Sequence, residues 1–249
     1  MAEPAFELPE EARLRAQSLG EAGARWLAGL GDSVRRLQEV WNIQLGASLS
    51  GGSESLILEA QCADGTGAIL KLRMPGAEDV TNEAETLRIA DGRGYARLLA
   101  HDEVAGAMLV ERLGRPLADL ELSLDRQLEI ICTTLRQAWA PLAAADGFTT
   151  AVEKSRWLAD FITSTWRELG EPCSAAVVTQ ALDFAQQRAD AFDPAHCVLV
   201  HGDPHSHNTL TEPGPTSTAA LTFRFIDPDG LFGEPAYDLA ILMREWNNE

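Results

Sequence analysis

The sequence predicts an α+β protein of two lobes: a small antiparallel β lobe over residues 1–113, entered through a leading helix, and a larger, mostly helical lobe over residues 114–249. Three observations predict it. Short apolar strands joined by tight turns fill residues 41–72, long segments with apolar residues near a 3.6 spacing follow residue 116, and Gly114-Arg115-Pro116 separates the two patterns. A chain of 249 residues has room for one large domain or two such lobes.

The elements follow in order. Residues 9–37 read as one helix, with Leu14, Leu19, Trp26, Leu27 and Leu30 near helical spacing. Residues 41–49 alternate apolar and polar, Ser50-Gly51-Gly52-Ser53 interrupts, and residues 56–61 resume as strand. Asp64-Gly65 turns the chain into the strand Ala68-Ile69-Leu70-Lys71-Leu72, completing an antiparallel meander. A helix is expected over 82–90, stopped by Asp91-Gly92-Arg93-Gly94, and strands over 96–100 and 108–112. In the second lobe, helices are expected over 124–143, 154–169 and 175–191, short strands over 197–200 and 223–226, and a last helix over 237–246. Trp139, Trp157, Phe161 and Trp166 lie on these helical segments and read as core residues.

Composition narrows the function. Apolar residues at 45% and charged residues at 23% exclude a disordered tail, a collagen-like chain or a disulfide scaffold. The 38 acidic and 20 basic residues give a net charge of −18, which repels phosphate backbones and anionic lipid. Neither nucleic acid nor a membrane surface is therefore an expected partner; a protein surface this acidic would attract a cationic small molecule, or simply keep the protein soluble. Cys62, Cys132, Cys173 and Cys197 form no CxxC pair and read as reduced thiols of a cytosolic protein. Met1-Ala2-Glu3-Pro4 lacks the basic and apolar run of a secretory leader, and no apolar stretch reaches the roughly 18 residues of a spanning helix. The expected location is the cytoplasm, and oligomeric state is not legible.

The chemistry concentrates in His201-Gly202-Asp203-Pro204-His205-Ser206-His207-Asn208, directly after an apolar strand. Phosphoryl transfer to a hydroxyl needs a carboxylate that takes the hydroxyl proton, here Asp203, and oxygen ligands for the cation on the phosphates, here Asn208. Asp227 ends the next apolar strand, nineteen residues after Asn208, and is the second metal-ligand candidate; Asp229 beside it fits an ordinary turn. Lys71 sits in an apolar strand, where an ammonium must reach an anion or face water from an edge. Glu83 or Glu85 on the following helix could hold it. Gly51, Gly52 and Ser53 could cover phosphates with backbone N–H groups or form a plain hairpin turn. A metallohydrolase built on His201, Asp203, His205 and His207 would leave Lys71 and Asn208 unexplained, and His205 and His207 read as solvent-facing loop residues.

The set Lys71, Glu83, His201-Gly202-Asp203 with Asn208, Ile226-Asp227 and Tyr237-Asp238-Leu239-Ala240 resembles the aminoglycoside phosphotransferases, whose fold is protein-kinase-like. Residues 166–174, 198–203 and 243–247 resemble more narrowly the streptomycin 6-phosphotransferase and aminoglycoside/hydroxyurea antibiotic resistance kinase branch. The resemblance implies Mg2+ and ATP as cofactors, with GTP left open, and Asp203 as catalytic base. It also implies Asn208 and Asp227 as metal ligands, and Lys71, paired with Glu83, as phosphate contact. Backbone groups of Glu111 and Leu113 would pair with the purine, His201 would brace the catalytic loop, and Asp238 would tie down the last helix. The implied reaction phosphorylates a hydroxyl of a streptomycin-like acceptor, with another hydroxylated metabolite or nucleotide binding without turnover as the alternatives. Acidic residues such as Glu168, Glu171, Glu234 and Glu245 would be available to a cationic acceptor. The chain stops three residues after Trp246, where such kinases usually continue, so the second lobe is expected to be truncated at its C-terminus.

Overall fold

The computed structural model describes residues 6, 8–49, 55–76, 80–145, 147–213 and 221–245. Two helices lead, α1 (Glu10–Ser18) and α2 (Gly20–Trp41), where one was expected. The chain closes a turn at Leu19, whose N–H donates to the Ala16 carbonyl, and Gly20 restarts the helix, so α1 folds back on α2. On α2, Leu30, Val34 and Leu37 are buried at i, i+4 and i+7, the stripe a helix needs to lie on a sheet. The helix ends at Asn42 in the left-handed region, one turn later than its pattern suggested.

The sheet beneath it comprises β1 (Ile43–Leu49), β2 (Ser55–Cys62), β3 (Gly67–Arg73), β4 (Leu98–Asp102) and β5 (Ala107–Glu111). All neighbours are antiparallel, in the order β1-β2-β3-β5-β4. Helix α3 (Val80–Ala90) connects β3 to β4 and stops at Asp91 and Gly92, both with positive φ. Side-chain alternation decides what each face of the sheet sees. Ala68, Leu70 and Leu72 of β3, with Ala107 and Leu109 of β5, meet α2. Ile69 of β3 and Met108 and Val110 of β5 meet Ala84, Leu87 and Ala90 of α3. Lys71, in phase with Ile69, therefore emerges on the α3 side of a strand flanked by β2 and β5, which removes the edge-strand alternative.

The second lobe begins with α4 (Leu124–Ala138). It was expected to run to residue 143, but Trp139 is extended and the chain enters β6 (Ala140–Pro141), which pairs with β8. Proline at 141 has no N–H with which to continue a helix. After β7 (Thr149–Thr150), α5 (Ala151–Glu168) starts on a reciprocal cap: Glu153 N–H donates to Thr150 Oγ1, and Thr150 N–H to the Glu153 carboxylate. Helix α6 (Ala175–Asp190) packs back against α5. The remaining elements are β8 (Val198–Val200), β9 (Thr209–Thr211), β10 (Phe223–Phe225), β11 (Leu231–Gly233) and α7 (Ala236–Glu245). Strand β11 lies between β8 and β7, and β10 pairs with β9. Strands β9 and β11 are too short to show a period. Trp157 and Phe161, expected in the core, stack on each other at 5.2 Å on the exposed side of α5, because no α5 residue is fully buried. No helix among the described residues is long and apolar enough to cross a membrane.

The two lobes are stitched at Gly94. Its carbonyl accepts from Phe225 N–H at 2.8 Å, and Ala96 N–H returns a bond to the Phe225 carbonyl at 2.9 Å. Gly94 has φ +69°, and a Cβ there would lie 2.7 Å from the backbone nitrogen of Ala138 in α4. Gly94→Ala combines a strained φ with overpacking against backbone, so it should lower the urea unfolding midpoint by the equivalent of about 2–3 kcal/mol. An unchanged midpoint would mean that this close approach does not hold the lobes.

Candidate active site

Two loops carry the candidate residues Asp203, Asn208 and Asp227, and strand pairing forces them together. Loop 201–208 leads from β8 to β9, and loop 226–230 leads from β10 to β11. Because β8 pairs with β11 and β9 with β10, both loops leave and re-enter the same two strand pairs. Backbone bonds then zip them: Ile226 N–H donates to the Asn208 carbonyl at 3.0 Å, and Gly230 N–H to the His201 carbonyl at 3.1 Å. Gly202, at φ +93°, allows the closest approach, since a Cβ there would lie 2.6 Å from Asp229 Cβ.

Inside this junction His201 is fully buried. Its Nε2 lies 3.1 Å from the Ile226 carbonyl, and its Nδ1 accepts the N–H of Asp203 at 3.1 Å. Those partners require the proton on Nε2 and leave no ring nitrogen for a metal, which removes His201 from a metallohydrolase ligand set. The ring stacks on Tyr95 at 5.7 Å and meets Phe225 edge-on at 4.8 Å. Burial holds its pKa below 6.5, against the opposing pull of Asp238.

Asp238, in the first turn of α7, is also fully buried. Its Oδ1 accepts Gly202 N–H at 2.8 Å; its Oδ2 accepts His201 N–H at 3.0 Å and the Trp139 indole N–H at 2.8 Å. One carboxylate thus fixes the start of the Asp203 loop to α7 and to the end of α4. Trp139, expected simply as core, spends its polar atom here. The Trp139 partnership has no local sequence signal, because the two residues are ninety-nine positions apart.

Asp203 follows on the partly exposed rim of the loop, its side chain 38% exposed. Asn208 turns back so that its Nδ2 donates to the Asp203 carbonyl at 3.1 Å. With the amide NH2 oriented this way, its oxygen is the atom that would face a cation. Asp227 holds φ 55°, in the left-handed region, after the loop leaves β10. An uncharged amide oxygen and a carboxylate, carried on two loops joined by the Ile226–Asn208 backbone bond, are donor types that suit a hard divalent cation.

Lys71 closes the set from the other lobe. Its ammonium lies 2.7 and 3.0 Å from the two carboxylate oxygens of Glu83 and 2.8 Å from Asp227 Oδ1. Its side chain is 11% exposed. Burial works against the charge, but Glu83 and Asp227 outweigh it and raise the pKa, so Lys71 stays an ammonium throughout the working range. Glu83 experiences the same burial, which pushes its carboxyl up against the counter-pull of Lys71. Glu85, the other residue the sequence left open, pairs with Arg88 instead.

The structure thus brings together Lys71, Glu83 and Asp227, and places Asp203 and Asn208 on the loop zipped to Asp227. Gly51, Gly52 and Ser53 lie outside the described residues. Glu111 and Leu113 stand at the end of β5, in the segment between the lobes. Glu111 N–H donates to the Arg97 carbonyl at 2.8 Å, and its carboxylate pairs with Arg224 at 2.7 Å. Beyond Leu113, Gly114 N–H and Arg115 N–H bond to the carbonyl and hydroxyl of Thr211 at 2.7 and 2.9 Å. His207 is exposed as expected, but His205 is not: its side chain is 24% exposed and turned toward Asp203. Arg224, Thr211 and Tyr95 also shape the site and were not read from the sequence, because each acts through a partner distant in the chain.

Residues 40–249 match the family described as aminoglycoside/hydroxyurea antibiotic resistance kinase. A streptomycin 6-kinase of Streptomyces griseus is 30% identical over 225 residues, 90% of this chain and 69% of that protein. A hydroxyurea phosphotransferase of Kitasatospora aureofaciens is 30% identical over 222 residues, 88% of this chain and 62% of that protein. Among solved structures, a choline kinase of Streptococcus pneumoniae superposes with a TM-score of 0.61 at 16% identity, over 86% of this chain and 74% of its own. A macrolide 2'-phosphotransferase of Brachybacterium faecium superposes with a TM-score of 0.57 at 16% identity, over 86% and 76%. The fold is that of protein-kinase-like small-molecule kinases.

Two expectations follow from the buried junction. Asp238→Asn would turn an NH2 toward N–H donors and should cost about 2 kcal/mol or more in urea unfolding; no loss would mean that the three bonds contribute little. Because folding depresses the His201 pKa, the unfolded chain binds more protons below pH 6.5. Stability should therefore fall as pH drops through that value, and this slope should shrink in His201→Gln. An identical slope in the variant would assign it to other groups.

Proposed function

The chain belongs to the aminoglycoside/hydroxyurea antibiotic resistance kinase family, and from that premise we propose that it transfers the γ-phosphoryl group of ATP to a hydroxyl of a streptomycin-like aminoglycoside. The observation that carries this reading is the three-way contact of Lys71 with Glu83 and Asp227, which joins a strand, a helix and a loop up to 156 positions apart around one ammonium. Such a group, buried and permanently charged, has phosphate oxygens as its natural further partners.

In the proposed reaction Asp203 accepts the proton of the acceptor hydroxyl. The acceptor oxygen bonds to the γ-phosphorus as the bond to the β,γ-bridging oxygen breaks, and ADP leaves with that electron pair. Lys71 holds phosphate oxygens, and Glu83 keeps its amine in place. Asn208 and Asp227 would hold Mg2+, which supplies neutralisation of phosphate charge when bound. Backbone groups of Glu111 and Leu113 would receive the purine, GTP being the competing nucleotide, and the boundary between lobes falls between residues 113 and 114. The net charge of −18 favours a cationic acceptor and disfavours nucleic acid and membrane as partners. Dependence on ATP favours the cytoplasm as its location.

The test is transfer from Mg–ATP to streptomycin, followed by mass spectrometry of the antibiotic, with hydroxyurea in parallel because one relative carries that name. A gain of one phosphoryl group on streptomycin is expected. Asp203→Ala should lower turnover by roughly 10²–10⁴-fold while leaving nucleotide binding nearly intact, whereas Asp227→Ala should also weaken metal-dependent binding. Wild-type turnover in Asp203→Ala would remove the base assignment. Phosphorylation of hydroxyurea alone would replace the acceptor, and absence of nucleotide binding would end the kinase reading for this chain.

A further inference from the structure

His205 stands two residues after Asp203, and its ring is oriented from both ends. Its Nδ1 accepts the N–H of His207 at 3.2 Å, and its Nε2 lies 3.3 Å from Asp203 Oδ2. A ring nitrogen that accepts an N–H carries no proton, so the neutral ring has its proton on Nε2, the atom facing the carboxylate. The backbone that aims the ring is pinned as well. The His205 carbonyl accepts Asn208 N–H at 3.0 Å and the Thr209 hydroxyl at 2.9 Å, and the His207 ring packs across it with centroids 5.9 Å apart. A partly exposed loop residue needs none of this. A carboxylate expected to meet a hydroxyl from one direction does, because the plane of its two oxygens must be aimed.

We propose that His205 is a positioning residue for the phosphoryl-transfer step: its Nε2–H donates to Oδ2 of Asp203 and so sets the plane in which that carboxylate meets the acceptor hydroxyl. This rests on Asp203 being the base. At 3.3 Å the two atoms lie at ion-pair distance, and this contact must close into a hydrogen bond in the reacting complex, where bonds to catalytic groups commonly tighten. Losing the alignment affects the rate of transfer more than the binding of either substrate, because misplacement of a reacting group by a fraction of an ångström is felt in the transition state.

Kinetics with Mg–ATP and streptomycin test this. His205→Ala should lower kcat by ~10-fold or more with both KM values within about twofold of wild type. His205→Gln, whose side-chain amide can still donate, should recover a large part of that loss. In an Asp203→Asn background the His205→Ala change should have no further effect, since its partner no longer acts. Unchanged kcat in His205→Ala, a loss confined to KM, or equal losses in the Ala and Gln variants would overturn the proposal. Full turnover in Asp203→Asn would instead overturn the base assignment beneath it. A second measurement needs no acceptor: long-range ¹H–¹⁵N spectra of the labelled chain above pH 7.5 read the tautomer of each histidine, His205 being identified by its absence in His205→Gln. The Nε2–H form, with its nitrogen signals displaced by Asp203→Asn, is expected. The Nδ1–H form, or signals indifferent to Asp203, would refute the contact.

Discussion

An ammonium group on the inner face of a sheet has to be answered by negative charge, and the architecture is organised around that requirement. Lys71 is forced inward by the pleat: its neighbours Leu70 and Leu72 take the α2 side, so residue 71 faces α3. Glu83, in the first turn of α3, supplies one carboxylate and Asp227, from the far lobe, supplies the other. Either carboxylate alone would leave a buried charge half-compensated, which is costly. The contact therefore ties the relative placement of sheet, helix and the 226–230 loop to one atom, Lys71 Nζ.

The second lobe solves a related problem with an anion. Asp238 gathers backbone and indole N–H groups at the point where the His201 loop departs from β8, so the loop begins from a fixed direction. His201 carries that order onward to Ile226 and Asp203 through its two ring nitrogens. These groups lie behind Asp203 and set where its carboxylate can be. The rigid part of the site is thus the buried part, while Asp203 itself stays open to solvent.

Much of this was legible in the sequence because it depends on local pattern. Alternation marked the meander and placed Lys71 in an apolar strand, leaving its inward or edge position to the structure, and the spacing from His201 to Asn208 marked the loop. What could not be read depends on partners distant in the chain. The split of the leading helix at Leu19 follows from how α1 packs back on α2. The early end of α4 reflects the pull of Trp139 toward Asp238 and the pairing of Ala140 with Leu199. His205 read as a solvent residue because a polar loop gives no sign of which carboxylate its ring will face. Trp157 and Phe161 were misassigned for the opposite reason: helical spacing of aromatics signals a face, but not what covers it.

The α5–α6 hairpin contributes a single buried residue, Val178, and α5 contributes none. Substitutions at such positions usually change stability by less than half a kilocalorie per mole in either direction. The partners of Asp238, His201 and Lys71 all lie on other elements. The hairpin is therefore a surface that can be engineered, to carry a label or a tether, without loosening the buried groups of the candidate site.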